Sequence, residues 1–329
     1  DETITFQAAK RGQLLYPGRE HAGKLTVWPI GDLDPAYDIG REVVLEKEDV
    51  AALLPPRAKD SHKGDHGRGL LVAGSLGYMG AASMSAAAAL RAGCGLLTVA
   101  TPGNLIPMLA GVREAMTCPL SDGDALDETS RQRLEERFPQ ATAVAVGPGL
   151  GTSPAARALV EAVLLSGKPA VLDADGLNLL ASDPALLKLL HPNLILTPHP
   201  GEMARLTGRS IHDISVRPVE AATEFAASHN CVLLLKGATS VIAAPDGAIT
   251  YNLAGNPGLA KGGSGDVLTG ILLALLCQGL APYDAARAGA YLLGLSADMA
   301  LELLRERALI AGDVIGAIRC TLEALDGKC

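Results

Sequence analysis

Chemistry is concentrated in the run AKGGSGDVLTG, residues 260 to 270. Gly262, Gly263, Ser264 and Gly265 offer backbone N–H groups with little side chain in the way, and the apolar run ILLALLCQGL follows. A helix starting at this point aims its positive end at the same spot. Bare N–H groups and a helix start together make an anion hole suited to a phosphoryl group in transfer. Asp266 falls in the first turn, where the dipole favours its ionised form. A carboxylate beside a phosphoryl site can take the proton of an attacking hydroxyl. The plainer reading is an aspartate near a helix start after a flexible loop.

Other glycine-rich or polar clusters follow short apolar runs: AGSLGYMGA, GPGLG, DADG, TPHPGE and KGATS. Lys236 and Gly237, just past one such run, could hold nucleotide phosphate or ribose. His199 sits between two prolines in a rigid loop. His62 and His66 in SHKGDHG are four apart, but Gly64 argues against a helix and so against a metal pair; no metal-ligating residue is assigned. Walker A and the dinucleotide GxGxxG are absent, and GGSGD puts Asp266 where a nucleophile elbow needs glycine, which leaves Ser264 a poor nucleophile.

The elements that must position these residues alternate. GLLVAG, GLLTVATP, TAVAVGPGLG, PAVLDADG, NLILTPHPGE and CVLLLKGATS read as strands. AASMSAAAALRAG reads as a helix ending at Gly93, and SPAARALVEAVLLSG as one capped by Ser153 with Pro154 in its first turn. Nearly continuous apolar runs alternating with helices predict a buried, mainly parallel sheet covered on both faces. The clusters would then share one sheet edge, where ligands bind in open α/β folds. SVIAAPDGAITYN reads as a hairpin across Asp246-Gly247. Residues 1–40 differ: TITFQAAKRG and KLTVWPIGD are two strand-like runs that cannot form a core alone, and they read as a short strand appendage. The boundary is expected near 32 to 40, giving a unit 1–40 and a main domain 41–329.

At 329 residues and 48% hydrophobic, the chain has ample material for a core. A net charge of -8 without a basic tract argues against nucleic acid. The longest apolar run, Val267 to Cys277, is too short to cross a bilayer, and no signal peptide is read. Six cysteines without a CxxC pair fit a reduced, cytoplasmic protein.

The motifs carry a resemblance. NPGLAKGGSGDVLTGILLALLCQG resembles the signature of the ADP- or ATP-dependent NAD(P)H-hydrate dehydratases, of ribokinase-like fold. SHKGDHGRGLLVAGS, GPGLG, LTPHPGE and KGATS resemble the other family blocks, in order, over roughly residues 41 to 325. Residues 1–40 resemble the end of an NAD(P)H-hydrate epimerase domain. The resemblance implies nucleotide-driven repair of hydrated NADH or NADPH: ADP, or ATP, phosphorylates the hydrate's C6 hydroxyl, and phosphate departs as the ring regains conjugation. It implies Asp266 as base and substrate contact, and Gly263 and Gly265 in the anion hole, with Gly265 also near the nucleotide. Ala81, Gly149 and His199 are implied to contact the substrate, and Lys236, Gly237, Ala238, Thr239 and Ser240 to form the nucleotide loop. Mg²⁺ is expected with the nucleotide, and a homo-oligomer is expected. Lys261 and Ser240 stand where a small hydroxyl residue and a threonine are common. The alternatives are a small-molecule kinase of the same superfamily, against which SHKG and TPHPGE speak, and a non-catalytic nucleotide sensor, against which the intact glycine loop and Asp266 speak.

Overall fold

The computed structural model describes residues 1–31, 41–302 and 304–327. The expected domain boundary, at 32 to 40, falls outside them. Two sheets form among the described residues. A small parallel pair joins β1 (Glu2–Phe6) to β2 (Lys24–Trp28), as the two N-terminal runs predict. The main sheet has ten strands: β3 (Glu42–Val44), β4 (Arg68–Val72), β5 (Leu96–Thr101), β6 (Met116–Pro119), β7 (Ala143–Val146), β8 (Ala170–Leu172), β9 (Leu194–Leu196), β10 (Val232–Leu235), β11 (Ser240–Ala243) and β12 (Ile249–Asn252). Their order is β3-β12-β11-β10-β9-β8-β7-β4-β5-β6. Pairing is parallel except where β11 runs antiparallel to β10 and β12, in the hairpin read across Asp246-Gly247.

The central strands are apolar on both faces because both are covered. Alternate residues divide between two cores. Leu71, Ala145, Val171, Ile195 and Leu234 join one core with the helices Met79–Arg91, Ser264–Cys277 and Pro282–Ala300. Leu70, Val146, Leu172, Leu196 and Leu235 join the other with the helices Pro154–Leu165 and Pro218–His229. Ser153 caps the former as predicted, its side chain accepting from the Ala156 N–H. From Val267 to Cys277 every residue of the central helix is buried, which explains why that stretch is apolar on all sides.

The chain enters the main sheet's parallel core at β4, steps to β5 and β6 on one side, then returns to β7 on the other. The loops after β4 and β7 therefore diverge at a switch point, where such sheets form crevices. The N-terminal segment is docked on this domain rather than hanging from it: Leu14 is buried in the second core. Among the described residues no helix is long and apolar enough to cross a membrane.

Candidate active site

The parallel strands bring the loops after β4, β7, β8, β9 and β10 to one edge, as the sequence predicts. At the switch point the Gly74 N–H donates to the Pro148 carbonyl at 2.9 Å, and the Ser75 hydroxyl to the Gly149 carbonyl at 2.8 Å. Gly149 has φ +60, and a Cβ there would lie 2.7 Å from the Tyr78 carbonyl and 3.2 Å from the Ala81 Cβ. Only glycine meets both demands. Ala81 and Gly149 are thereby brought into contact.

Next along the edge is a buried carboxylate. Asp173, 2% exposed, follows β8. Its Oδ1 accepts from Lys236 Nζ at 2.7 Å and from the Thr197 hydroxyl at 2.8 Å, and its Oδ2 accepts from the Thr269 hydroxyl at 2.9 Å. Three donors from three elements satisfy it, as a buried charge requires. The following residue, Ala174, has φ 47 and ψ −114, a strained conformation for a residue with a side chain. Lys236 Nζ also lies 3.7 Å from Glu202 Oε2. Burial alone would lower the Lys236 pKa, but Asp173, Glu202 and Asp266 outweigh it and the net shift is upward.

His199 opens the helix Pro200–Thr207. Its Nδ1 accepts from the N–H groups of Gly201 and Glu202, while Glu202 Oε2 accepts the His199 N–H. This reciprocal capping leaves the neutral ring's proton on Nε2. The ring is half-exposed, and its Nε2 lies 3.6 Å from Glu202 Oε1.

The helix Ser264–Cys277 begins at Gly263, φ +100, with no side-chain cap. A Cβ on Gly263 would meet Met84 Sδ at 2.7 Å and the Ala311 Cβ at 2.9 Å, so the uncapped glycine start is built in. The first N–H groups of a helix have no partner within it. The Cβ position of Gly265 lies 3.5 Å from both Asp173 Oδ2 and Lys236 Nζ, which sets the helix start against the buried ion pair. The Asp266 carbonyl accepts from the Ser85 hydroxyl at 2.9 Å, but its carboxylate accepts no hydrogen bond from another described residue. Burial, then the charge of Asp173, pushes the Asp266 carboxyl up to about 6 against the opposing pull of Lys236. Two nearby carboxylates thus differ in kind: Asp173 is paired on both oxygens, and Asp266 is unpaired and holds its proton more tightly than an ordinary aspartate.

Residues 236–240, expected as a nucleotide loop, show two features that the sequence does not disclose. Lys236 is not free to reach outward, because its ammonium is held by Asp173. Thr239 is buried and donates its hydroxyl to the Leu14 carbonyl at 2.7 Å, facing the N-terminal segment. Ser240 and Gly237 close the loop on each other, through contacts of 3.4 and 3.5 Å. Sequence reasoning missed Asp173, Thr197, Glu202 and Thr269. DADG marked the first as a strand-end loop, but nothing in a lone aspartate says that it will be buried. His62 and His66 lie before β4, at the opposite end of that strand, and pair with Asp65 at 2.9 Å and Ser61 at 3.1 Å. Two cavities, of about 360 and 250 Å³, lie away from the cluster and contain none of its carboxylates.

Residues 69–314 match the NAD(P)H-hydrate dehydratase family. The chain belongs to that family. The bifunctional NAD(P)H-hydrate repair enzyme Nnr of Moorella thermoacetica is 43% identical over 331 residues, covering 98% of this chain. The chain spans 62% of that relative's length. The ADP-dependent (S)-NAD(P)H-hydrate dehydratase of Bacillus subtilis is 38% identical over 77% of this chain and 88% of its own. A Bacillus subtilis ADP/ATP-dependent NAD(P)H-hydrate dehydratase co-crystallized with ATP/Mg²⁺ superposes with a TM-score of 0.75 at 34% identity, covering 86% of this chain and 98% of that one. A ribokinase-like superfamily protein of Enterococcus faecalis gives 0.77 at 25% identity, over 90% and 99%. The fold is ribokinase-like.

Proposed function

We propose that this chain dehydrates (6S)-NADH or NADPH hydrate with ADP as phosphoryl donor, releasing AMP, phosphate and the restored cofactor. One observation carries the reading: an unpaired carboxyl, with a pKa of about 6, stands in the first turn of an uncapped, buried helix. Hydroxide leaves poorly, so the C6 hydroxyl must become a better leaving group. Asp266 takes its proton as the oxygen attacks the β-phosphoryl group of ADP, and the bond from phosphorus to the AMP oxygen breaks. The free N–H groups at Gly263 to Gly265 lower the cost of charge on the transferring phosphoryl oxygens. Phosphate then leaves C6 and a neighbouring ring proton is lost, which restores the double bond.

The other residues take supporting roles in this reading. Ala81 and Gly149 form one wall for the hydrate, with His199 Nε2 as a donor at the rim. Gly237, Ala238 and Ser240 serve the nucleotide, and Thr239 contributes backbone only. Lys236 sets the charge around Asp266 instead of gripping phosphate directly. Among the described residues no group of three or more His, Cys, Asp or Glu is arranged to hold a metal ion. With Asp173 saturated by its own donors and Asp266 kept free as the base, the residues fit a Mg²⁺ that would be carried by the nucleotide's own phosphates, where the ion would neutralise phosphate charge. The test is incubation with NADH hydrate and ADP while reduced-nicotinamide absorbance is followed. ADP-dependent recovery of that absorbance supports the reading, and a stable phosphorylated hydrate with no recovery would mark a kinase instead.

A further inference from the structure

The N-terminal segment touches the domain at a telling place. Arg19, half-buried in the helix Gly18–Ala22, donates from Nη1 to the Ala238 carbonyl at 3.0 Å and to the Thr239 hydroxyl oxygen at 2.9 Å. Its Nη2 donates to the Leu253 carbonyl at 2.8 Å. Thr239 in turn donates to the Leu14 carbonyl, on the same segment. One guanidinium therefore ties residues 238 and 239 to residue 253, just after β12. The planar fork of arginine suits such a clamp, whereas a lysine would offer a single point of attachment.

A second arginine provides the contrast. Arg11 also joins the segment to the domain, through Glu42 and, at 3.3 Å, Glu220, but it touches nothing in the 236–240 loop. Arg11 anchors the segment, while Arg19 holds the loop. The bifunctional relative's match runs over 98% of this chain and so takes in nearly all of the segment.

We infer that Arg19 is a positioning residue for the nucleotide loop, so that the N-terminal segment is a working part of the nucleotide site and not only an appendage packed on the domain. This rests on the reading of residues 236–240 as that loop. Without Arg19, the carbonyl of Ala238 and the hydroxyl of Thr239 lose their fixed donor, and the loop samples geometries that do not fit the nucleotide.

The test compares Arg19→Ala with Arg11→Ala, measuring ADP binding by calorimetry, KM for ADP and for NADH hydrate, kcat at saturating ADP, and the melting temperature. Arg19→Ala should weaken ADP binding and raise its KM by about tenfold, the scale of hydrogen bonds made by a charged donor. Its kcat and its KM for the hydrate should change little. Arg11→Ala should leave ADP binding unchanged, even if it lowers the melting temperature as much. Arg19→Lys should recover part of the ADP affinity. Should Arg19→Ala fail to fold, Thr239→Val removes the hydroxyl shared by Arg19 and Leu14 and should show the same selective loss. Equal ADP affinity in Arg19→Ala and the wild type, or equal losses in the two arginine variants, would overturn the inference while leaving the proposed function intact. A wild-type protein that binds neither ADP nor ATP would overturn both.

Discussion

Asp173 and Asp266 share a corner of the site, yet their surroundings differ. An acid held at about 6 against an ordinary 3.8 binds its proton more tightly in the folded chain than in the unfolded one. The folded state therefore loses stability as pH rises through that window, and at neutral pH the ionised Asp266 is a net cost on the order of 2–3 kcal/mol. Asp266→Asn should consequently melt higher than the wild type at pH 7.5, with the gain vanishing below about pH 4; an unchanged or lower melting temperature at pH 7.5 would mean that the carboxylate is not strained. If Asp266 is the base, wild-type kcat/KM should rise with pH along a limb centred near 6. Asp173→Asn removes both a like charge and the partner of Lys236. It should shift that limb to lower pH, and it should destabilise by less than the roughly 3–5 kcal/mol of leaving a buried charge wholly unpaired, because Glu202 still faces Lys236 at 3.7 Å. Urea titration and a pH–rate profile on the same preparation would check both. The asymmetry between the two aspartates was only half legible. GGSGD announced Asp266 because its neighbours are bare backbone, whereas Asp173 becomes special only when Lys236, Thr197 and Thr269 arrive from three other elements.

The strands show what local pattern can and cannot say. β4, β5 and β7 to β10 were readable because both faces of each are covered, so their sequences are apolar nearly throughout. β3 and β6, at the two edges, are short and largely exposed, and EVV and MTCP carry no such pattern. The loops that end the central strands were legible for the same reason as the strands, since parallel order puts their ends on one side. The direction of an individual loop side chain was not: Thr239 reads as a ligand residue in KGATS but faces Leu14. Gly149 is the element-scale test of the switch point. Gly149→Ala must hold a positive φ and push against Tyr78 and Ala81, at a cost of about 1–3 kcal/mol. KM for the hydrate should rise more than KM for ADP; a larger rise for ADP would put the nucleotide, not the hydrate, between Ala81 and Gly149.

At the scale of the molecule, one sheet edge gathers residues spread from position 81 to position 266, and the N-terminal segment reaches the same edge from the side through Arg19. The expected division into a unit 1–40 and a domain 41–329 falls at residues outside those described, and strand-like runs in a sequence do not disclose where they dock. The phosphoryl transfer in the proposed reaction turns on one proton transfer at the start of the central helix, so the most direct measurement is the turnover of folded Asp266→Asn with ADP and NADH hydrate. Asparagine keeps the size of the side chain and caps a helix well, but it cannot take the proton. A positioned base is worth about 10²–10⁴-fold in rate, so kcat should fall by that much while ADP binding changes little. A folded Asp266→Asn protein that restores NADH at more than about a tenth of the wild-type rate would contradict the assignment of Asp266 as the base.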